Sequence, residues 1–404
     1  MRRRGFLLLA RFCAEMVKFT GAENQIIFIQ NQYVKIMKKH LYLTVSFLVF
    51  SVLSTVGQYN FETVYHCGCT AVKNQQRTGT CWSFSTVSYL ESELLRMGKP
   101  AMDLSEMYVV RNIYADKARN YVLRQGKANF GQGSLAHDVI RAFKMAGMVP
   151  ESVYNGLTDG EKVHDHGDME AALKGMLDGI IKNRNRPNPK WQEAFEALID
   201  VYMGKVPQTF TYEGKTYTPQ SFAKELGIHP DDYVSFTSYT HHPFYENCIL
   251  EIPDNYSNGS YFNVPVSDLR KIVDNALAHD FTVSWDGDVS EKGFSQRHGL
   301  AVLPADPDRK DRFENPGPEI AVTQELRQQT FLTYETTDDH LMHIIGMAKD
   351  QNGTPYYIVK NSWGETGAKS GYVYMSAPYF DLKTVGIMVH KDAIPEDIRS
   401  KLNL

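Results

Sequence analysis

Apolar residues at Phe84, Val87, Leu90, Leu94 and Met97 recur at steps of 3, 3, 4 and 3, one face of a helix that Gly98 and Pro100 bring to a close. Similar periodicity predicts helices over Leu135–Met145, Met169–Lys182 and Trp191–Met203. Two runs rich in β-branched and aromatic residues, 339–347 and 356–364, flank Asp350-Gln351-Asn352-Gly353, whose Asn-Gly pair predicts a hairpin. In the ideal two-residue register Asn361 faces Ile344, with His340 on the same face but about 13 Å further along, so only a bulge or an asymmetric loop brings the two together.

One further apolar run, Leu41–Leu53, stands apart. It follows Met37, Lys38, Lys39 and His40 and precedes Ser54, Thr55 and Gly57, the order of a charged region, a short apolar region and a small-residue cleavage zone. The run is shorter than the roughly 20 residues that a membrane span needs, so no stable membrane anchor is expected. We read 37–57 as a signal peptide and expect export, to a periplasm or the exterior. Residues 1–36 read as a non-native extension from an early start codon.

Composition then sharpens the picture. The 404 residues are 43% hydrophobic and carry a formal charge of -4. Removing the first 57, which hold eight basic and two acidic residues, leaves 347 residues with a formal charge of -10. Such an acidic chain is a poor partner for nucleic acid. Of the four cysteines that remain, Cys67 and Cys69 read as ordinary thiols or as a disulfide partner for Cys248. His164-Asp165-His166 and His241-His242 read as solvated loop residues; no metal and no cofactor are expected.

Cys81 differs in its setting. It sits where a polar loop gives way to the first helix, and unpaired amides at a helix start stabilise a thiolate. A cysteine so placed needs a base and an orienting group, and the hairpin offers His340 and Asn361.

Asn74-Gln75, then Cys81-Trp82-Ser83-Phe84-Ser85, Asp339-His340 and Lys360-Asn361-Ser362-Trp363-Gly364 together resemble the papain-like cysteine peptidases. The long interval from Cys81 to His340, with Leu104-Ser105-Glu106-Met107-Tyr108 and the stretch 204–222, is similar to the bleomycin hydrolase and bacterial aminopeptidase C branch. The resemblance implies an α+β, papain-like two-layer fold, a helical half plus a β-barrel-like half, with a large inserted helical domain. The expected divisions are 58–150 for the helical half, 151–255 for the inserted, oligomerisation domain, 256–392 for the β half and 393–404 for a C-terminal arm.

By the same resemblance Cys81 is the nucleophile, His340 the base, Asn361 its orienting partner and Gln75 the oxyanion donor, with Trp363 shielding the His-Asn pair. The family's six-residue step from His to Gly selects His340, which precedes Gly346 by six, over its rival His343. Gly131 and Gly133 are expected to line the substrate cleft. In relatives the C-terminal residues enter the cleft, which makes Leu404 a candidate substrate contact, although a tail this short leaves exopeptidase and endopeptidase action open. The expected function is a cysteine aminopeptidase acting on peptide substrates and assembling as a homo-oligomer, a hexamer by resemblance. The alternatives are an endopeptidase or a silent papain-fold binding protein.

Overall fold

The computed structural model describes residues 58–183 and 186–404. The proposed signal peptide and the extension before it lie outside the described residues. From Tyr59 to Leu404 the chain forms one compact unit.

Helices dominate its first part: α1 (Cys81–Arg96), α2 (Glu106–Leu123), α3 (Ala136–Ala146), α4 (Gly167–Lys182), α5 (Trp191–Met203) and α6 (Pro219–Leu226). Strands dominate the second: β4 (Tyr233–Thr237), β5 (Glu246–Ile249), β6 (Ser260–Asn263), β7 (Val283–Gly287), β10 (His340–Asp350), β11 (Pro355–Lys360), β12 (Tyr372–Ser376) and β13 (Thr384–His390). With β1 (Phe61–His66) and the short β8 (Phe294–Ser295) and β9 (Leu300–Ala301), they make an eleven-stranded sheet ordered β5-β6-β4-β13-β7-β10-β11-β12-β9-β8, while β1 pairs with β10. The small hairpin of β2 (Phe210–Tyr212) and β3 (Lys215–Tyr217) stands separately. The α+β arrangement of a helical half beside a sheet half is the one expected.

The core divides across the sheet. Leu341, Val385 and Met388 face the helices, in a cluster with Leu90 and Leu94 of α1. Met342, Ile344, Val283 and Trp285 face the other way, against Leu269 and Val273 of α7 (Val266–Ala278) and Ile398 and Leu402 of α10 (Glu396–Leu402).

Helix α1 departs from its one-sided expectation. Phe84, Val87, Leu90 and Leu94 are buried, but so is every residue from Cys81 to Leu94, and Met97 at the C-cap is exposed. Several of its polar side chains find partners: Ser83 Oγ donates to the Glu106 carbonyl at 2.9 Å, Thr86 meets Ser284 at 3.2 Å, and Glu91 accepts from Lys73 and from the Leu104 amide. A helix lodged between two halves is buried all round; Ser83, Thr86 and Ser88 are satisfied across its interfaces, whereas Ser85 Oγ and Ser92 Oγ are buried with no partner among the described residues.

The segment expected as an insertion shares the main core. Leu173, Phe195, Ile199 and Phe222 join the same cluster as α1–α3, and β4 and β5, inside 151–255, belong to the large sheet. The helical stretch therefore gives way to sheet at about Tyr233, before the expected boundary at 255.

Two other expectations change. The four described cysteines are free; Cys67 and Cys248 lie in different cores, so Cys67 does not pair with Cys248. His166 is buried, not solvated: its backbone N–H donates to the Arg77 carbonyl, and burial pulls its imidazole down to about 4.

Candidate active site

The hairpin closes the gap that its sequence leaves. Its loop spans three residues, because the Asp350 amide bonds the Thr354 carbonyl, and a bulge at Ile345 shifts the register again, pairing Ile344 with Val359 where Gly346 pairs with Ile358. Each step slides Asn361 one residue closer to His340. As a result His340 Nε2 lies 2.7 Å from Asn361 Oδ1. The rest of the Asn361 amide is fixed as well: Oδ1 accepts from the Ser362 N–H at 2.7 Å, and Nδ2 donates to Gln296 Oε1 at 2.8 Å. Trp363 packs on the ring of His340 with centroids 4.6 Å apart.

His343 goes elsewhere. It sits on the opposite strand face, with Nδ1 2.9 Å from Ser88 Oγ, two turns along α1 from Cys81. Its ring is buried beside Lys360, whose ammonium also bonds Ser88.

Cys81 is the first residue of α1, so its N–H is among the helix amides without an intrahelical partner. The approach loop is tightly held. Gln76 adopts a left-handed backbone (φ 58°), steadied by its N–H bonding to Asn74 Oδ1 at 2.9 Å. Asn74 bridges to Trp363, and Gln75 N–H donates to the Ser362 carbonyl at 2.8 Å. The Gln75 side chain accepts from Ser362 Oγ at 2.6 Å and donates through Nε2 to the Thr78 carbonyl, also at 2.6 Å. The Asn74-Gln75 and Asn361–Gly364 segments, far apart in sequence, thus lock together beside Cys81.

Burial acts on both reacting groups. It pushes the Cys81 thiol up to about 12, with the Leu341 backbone N–H opposing and the charges of Asp338, Asp254 and Asp286 adding to the rise. It pulls His340 down to about 4 against the Asn361 hydrogen bond. Neither charge forms readily alone. Transfer of a proton from sulfur to ring would create both at once, with the helix start on one side and Asn361 on the other.

Gly131 and Gly133 form a loop strapped to this site by Gln132 and by Lys117, a residue that no motif had singled out. Gln132 accepts from Trp82 Nε1 at 2.8 Å through its carbonyl and from the Gly79 N–H at 2.7 Å through Oε1. Buried Lys117 donates to the carbonyls of Gly131 and Gly133. Gly133 must lack a side chain, since a Cβ there would lie 1.8 Å from Asp254 Oδ2.

Leu404 is not brought to this constellation. Helix α10 packs on α7 through Ile398 and Leu402, Lys271 pairs with Asp397, and the Leu404 N–H turns back to the Arg399 carbonyl. His241 and His242 do gain a third neighbour, Glu251, at 3.2 and 3.0 Å, which accounts for them as carboxylate-bonded imidazoles.

Gln296, Asp286 and Asp338 escaped the sequence reading. Gln296 lies in a loop with no pattern to mark it. Asp286, an acid beside Trp285 in the strand Val283–Gly287, was a visible signal.

Comparisons with known proteins agree with this arrangement. Residues 189–404, more than half the chain, match the Peptidase C1-like family, and residues 58–174 match the papain family cysteine proteases. The chain is 24% identical to Aminopeptidase G of Lactobacillus delbrueckii subsp. lactis, over 82% of this chain and 83% of that one. It is 23% identical to the mitochondrial Cysteine proteinase 1 of Saccharomyces cerevisiae (strain JAY291), over 84% and 79%. The crystal structure of PepW from Lactobacillus rhamnosis HN001 shares the fold, with a TM-score of 0.68 and 18% identity over 85% of this chain and 84% of that one. The chain belongs to the Peptidase C1-like family and is a papain-type cysteine peptidase.

Proposed function

We propose that the protein is a cysteine aminopeptidase working through a Cys81 acyl-enzyme. Cys81 Sγ attacks the carbonyl carbon of the first peptide bond as its proton passes to His340. The Gln75 side-chain amide and the Cys81 N–H receive the oxyanion, and His340 returns the proton to the leaving amine. Water then hydrolyses the thioester. The observation that carries this reading is the 2.7 Å bond from His340 to Asn361 beside a cysteine at a helix start. Aminopeptidase over other peptidase action is supported by the relatives named Aminopeptidase G and Aminopeptidase C.

Cys81→Ala is expected to abolish hydrolysis of aminoacyl amides, and iodoacetamide to modify Cys81 first. Normal turnover by the variant overturns the reading. The packing of Ile398 and Leu402 against α7, with the Leu404 N–H turned back to the Arg399 carbonyl, favours a second reading, an endopeptidase. Efficient cleavage of N-terminally blocked peptides supports that alternative.

Export through residues 37–57 and assembly into a homo-oligomer belong to the same proposal. The intact mass of protein recovered from outside the cytoplasm tests the first, and sedimentation of the purified protein the second.

A further inference from the structure

In sequence His241-His242 is a histidine pair without a third ligand. The fold supplies one. Glu251, nine residues beyond His242, brings a single carboxylate oxygen, Oε2, to 3.2 Å from His241 Nε2 and 3.0 Å from His242 Nε2. The three side chains offer ligand atoms that all lie within 4.8 Å of one another. Around a tetrahedral ion with bonds of roughly 2.0–2.1 Å, ligand atoms stand about 3.3 Å apart, so the two measured separations are close to those of a coordination shell.

Consecutive side chains of an extended chain point to opposite sides. Here the turn at 240–242, just after β4, brings both rings to one side with centroids 4.4 Å apart. That turn is held from two directions. Buried Asn263 of β6 accepts from the Tyr239 N–H at 2.9 Å and donates through Nδ2 to the carbonyls of Tyr239 and His242, each at 2.8 Å. Buried Gln328, on α8 (Gln324–Leu332), accepts from the Thr240 N–H at 2.5 Å through Oε1. The same amide meets His241 Nδ1, which lies 3.3 Å from Oε1 and 3.0 Å from Nε2. A metal-bound imidazole carries its proton on the other ring nitrogen, and Gln328 Oε1 is placed to accept it. Phe331, on the same helix, stacks on the His241 ring with centroids 5.7 Å apart and planes 8° from parallel.

His241 and Glu251 are also among the walls of a cavity of about 390 Å³. Three protein ligands beside an open space leave a fourth position for water or a ligand group.

We propose that His241 Nε2, His242 Nε2 and a carboxylate oxygen of Glu251 form a binding site for a divalent transition ion of the zinc type. Two imidazoles with one carboxylate favour such an ion over magnesium or calcium, which take oxygen ligands. The bound ion fastens the turn after β4 to the segment after β5. Nothing in this site depends on the chemistry of Cys81.

The test uses the full chain carrying Cys81→Ala, so that the proposed nucleophile does not compete for metal. After metal depletion it is titrated with Zn²⁺ by calorimetry and with Co²⁺ by visible absorption. The expected result is one Zn²⁺ per chain with a Kd of about 1 μM or tighter, and a Tm that rises with Zn²⁺ concentration. Bound Co²⁺ should show d–d bands without sulfur-to-cobalt charge transfer. His242→Ala and Glu251→Gln are each expected to weaken Zn²⁺ binding by about 100-fold or more, and Gln328→Ala by about tenfold. The Glu251 side chain is 62% exposed, so Glu251→Gln keeps the test decisive should His242→Ala misfold. Absence of Zn²⁺ binding, or an affinity that Glu251→Gln leaves unchanged, would overturn the proposal. Sulfur-to-cobalt charge transfer would overturn it as well, by placing the ion on the thiols of Cys67, Cys69 or Cys248.

Discussion

Ser362 donates its hydroxyl to Gln75 Oε1 at 2.6 Å, while the Gln75 backbone N–H bonds the Ser362 carbonyl at 2.8 Å. These two bonds span 287 residues of sequence and fix the side-chain amide proposed as the oxyanion donor. Ser362→Ala leaves Gln75 Oε1 buried without that donor, at about 1 kcal/mol or more in stability. The Gln75 amide would then be held only through its Nε2 bond to the Thr78 carbonyl. The expected result is a fall of about tenfold in kcat with KM little changed, read from steady-state kinetics. Wild-type kcat in a folded variant would show that Gln75 needs no such anchor.

The two histidines of β10 separate chemistry from packing. His340→Ala is expected to remove activity with a modest change in Tm. His343→Ala, which empties a buried site against Ser88 and Lys360, is expected to cost about 2–3 kcal/mol while kcat/KM per folded molecule stays within a few-fold of wild type. Denaturant titration and active-site counting on both variants decide the matter, and the reverse pattern would exchange their roles.

Burial first, then the charge of Asp254, holds the Asp338 carboxyl up to about 7, with Asp286, Asp339 and Lys117 also acting on it. An acid raised in the folded state binds its proton more tightly there than in the unfolded chain. Its contribution to stability is therefore full below about pH 4 and is lost as pH rises through 7. Asp338→Asn should thus match the wild-type Tm near pH 4 and exceed it near pH 8. His340, pulled down to about 4, has the opposite sign, its stability fading as pH falls from about 6.5 to 4, but it is common to both proteins and cancels in the difference. A Tm gap that stays constant from pH 4 to 8 would refute the assignment.

Gly133 and Asp254 offer a test of the cleft wall by double substitution. Gly133→Ala places a methyl 1.8 Å from Asp254 Oδ2 and 2.6 Å from its Cγ, so one of the two must move. The single variant should lose about 1–3 kcal/mol. In an Asp254→Gly background the same change should cost little, leaving a coupling of similar size in a double-mutant cycle. Additive losses would mean that the two do not meet.

Much of the site was legible because its parts are local. Cys81 at the onset of an apolar periodicity, and Asn361-Ser362-Trp363-Gly364 after a β run, depend on neighbours within a few residues. The helices expected at Met169–Lys182 and Trp191–Met203 are found at Gly167–Lys182 and Trp191–Met203 for the same reason. What lay beyond reach were partners set by pairing between distant segments. Gln296 meets Asn361 across 65 residues, and Asp286 reaches the Cys81 face only through its register with Leu341.

Sequence alone determined the reacting groups, the order of helices and strands, and the hairpin that carries His340, since side-chain type and hydrophobic period are written residue by residue. The tertiary structure decided the rest. A three-residue loop and a bulge at Ile345 set the His340–Asn361 distance, and a one-residue slip in a strand cannot be read from a pattern of period two. Burial of α1 on every side, the packing of Ile398 and Leu402 against α7, and the meeting of Asp254, Asp286 and Asp338 beside Cys81 arise from the packing of separate halves. Only that packing removes water from these groups, and the loss of water gives their charges their effect.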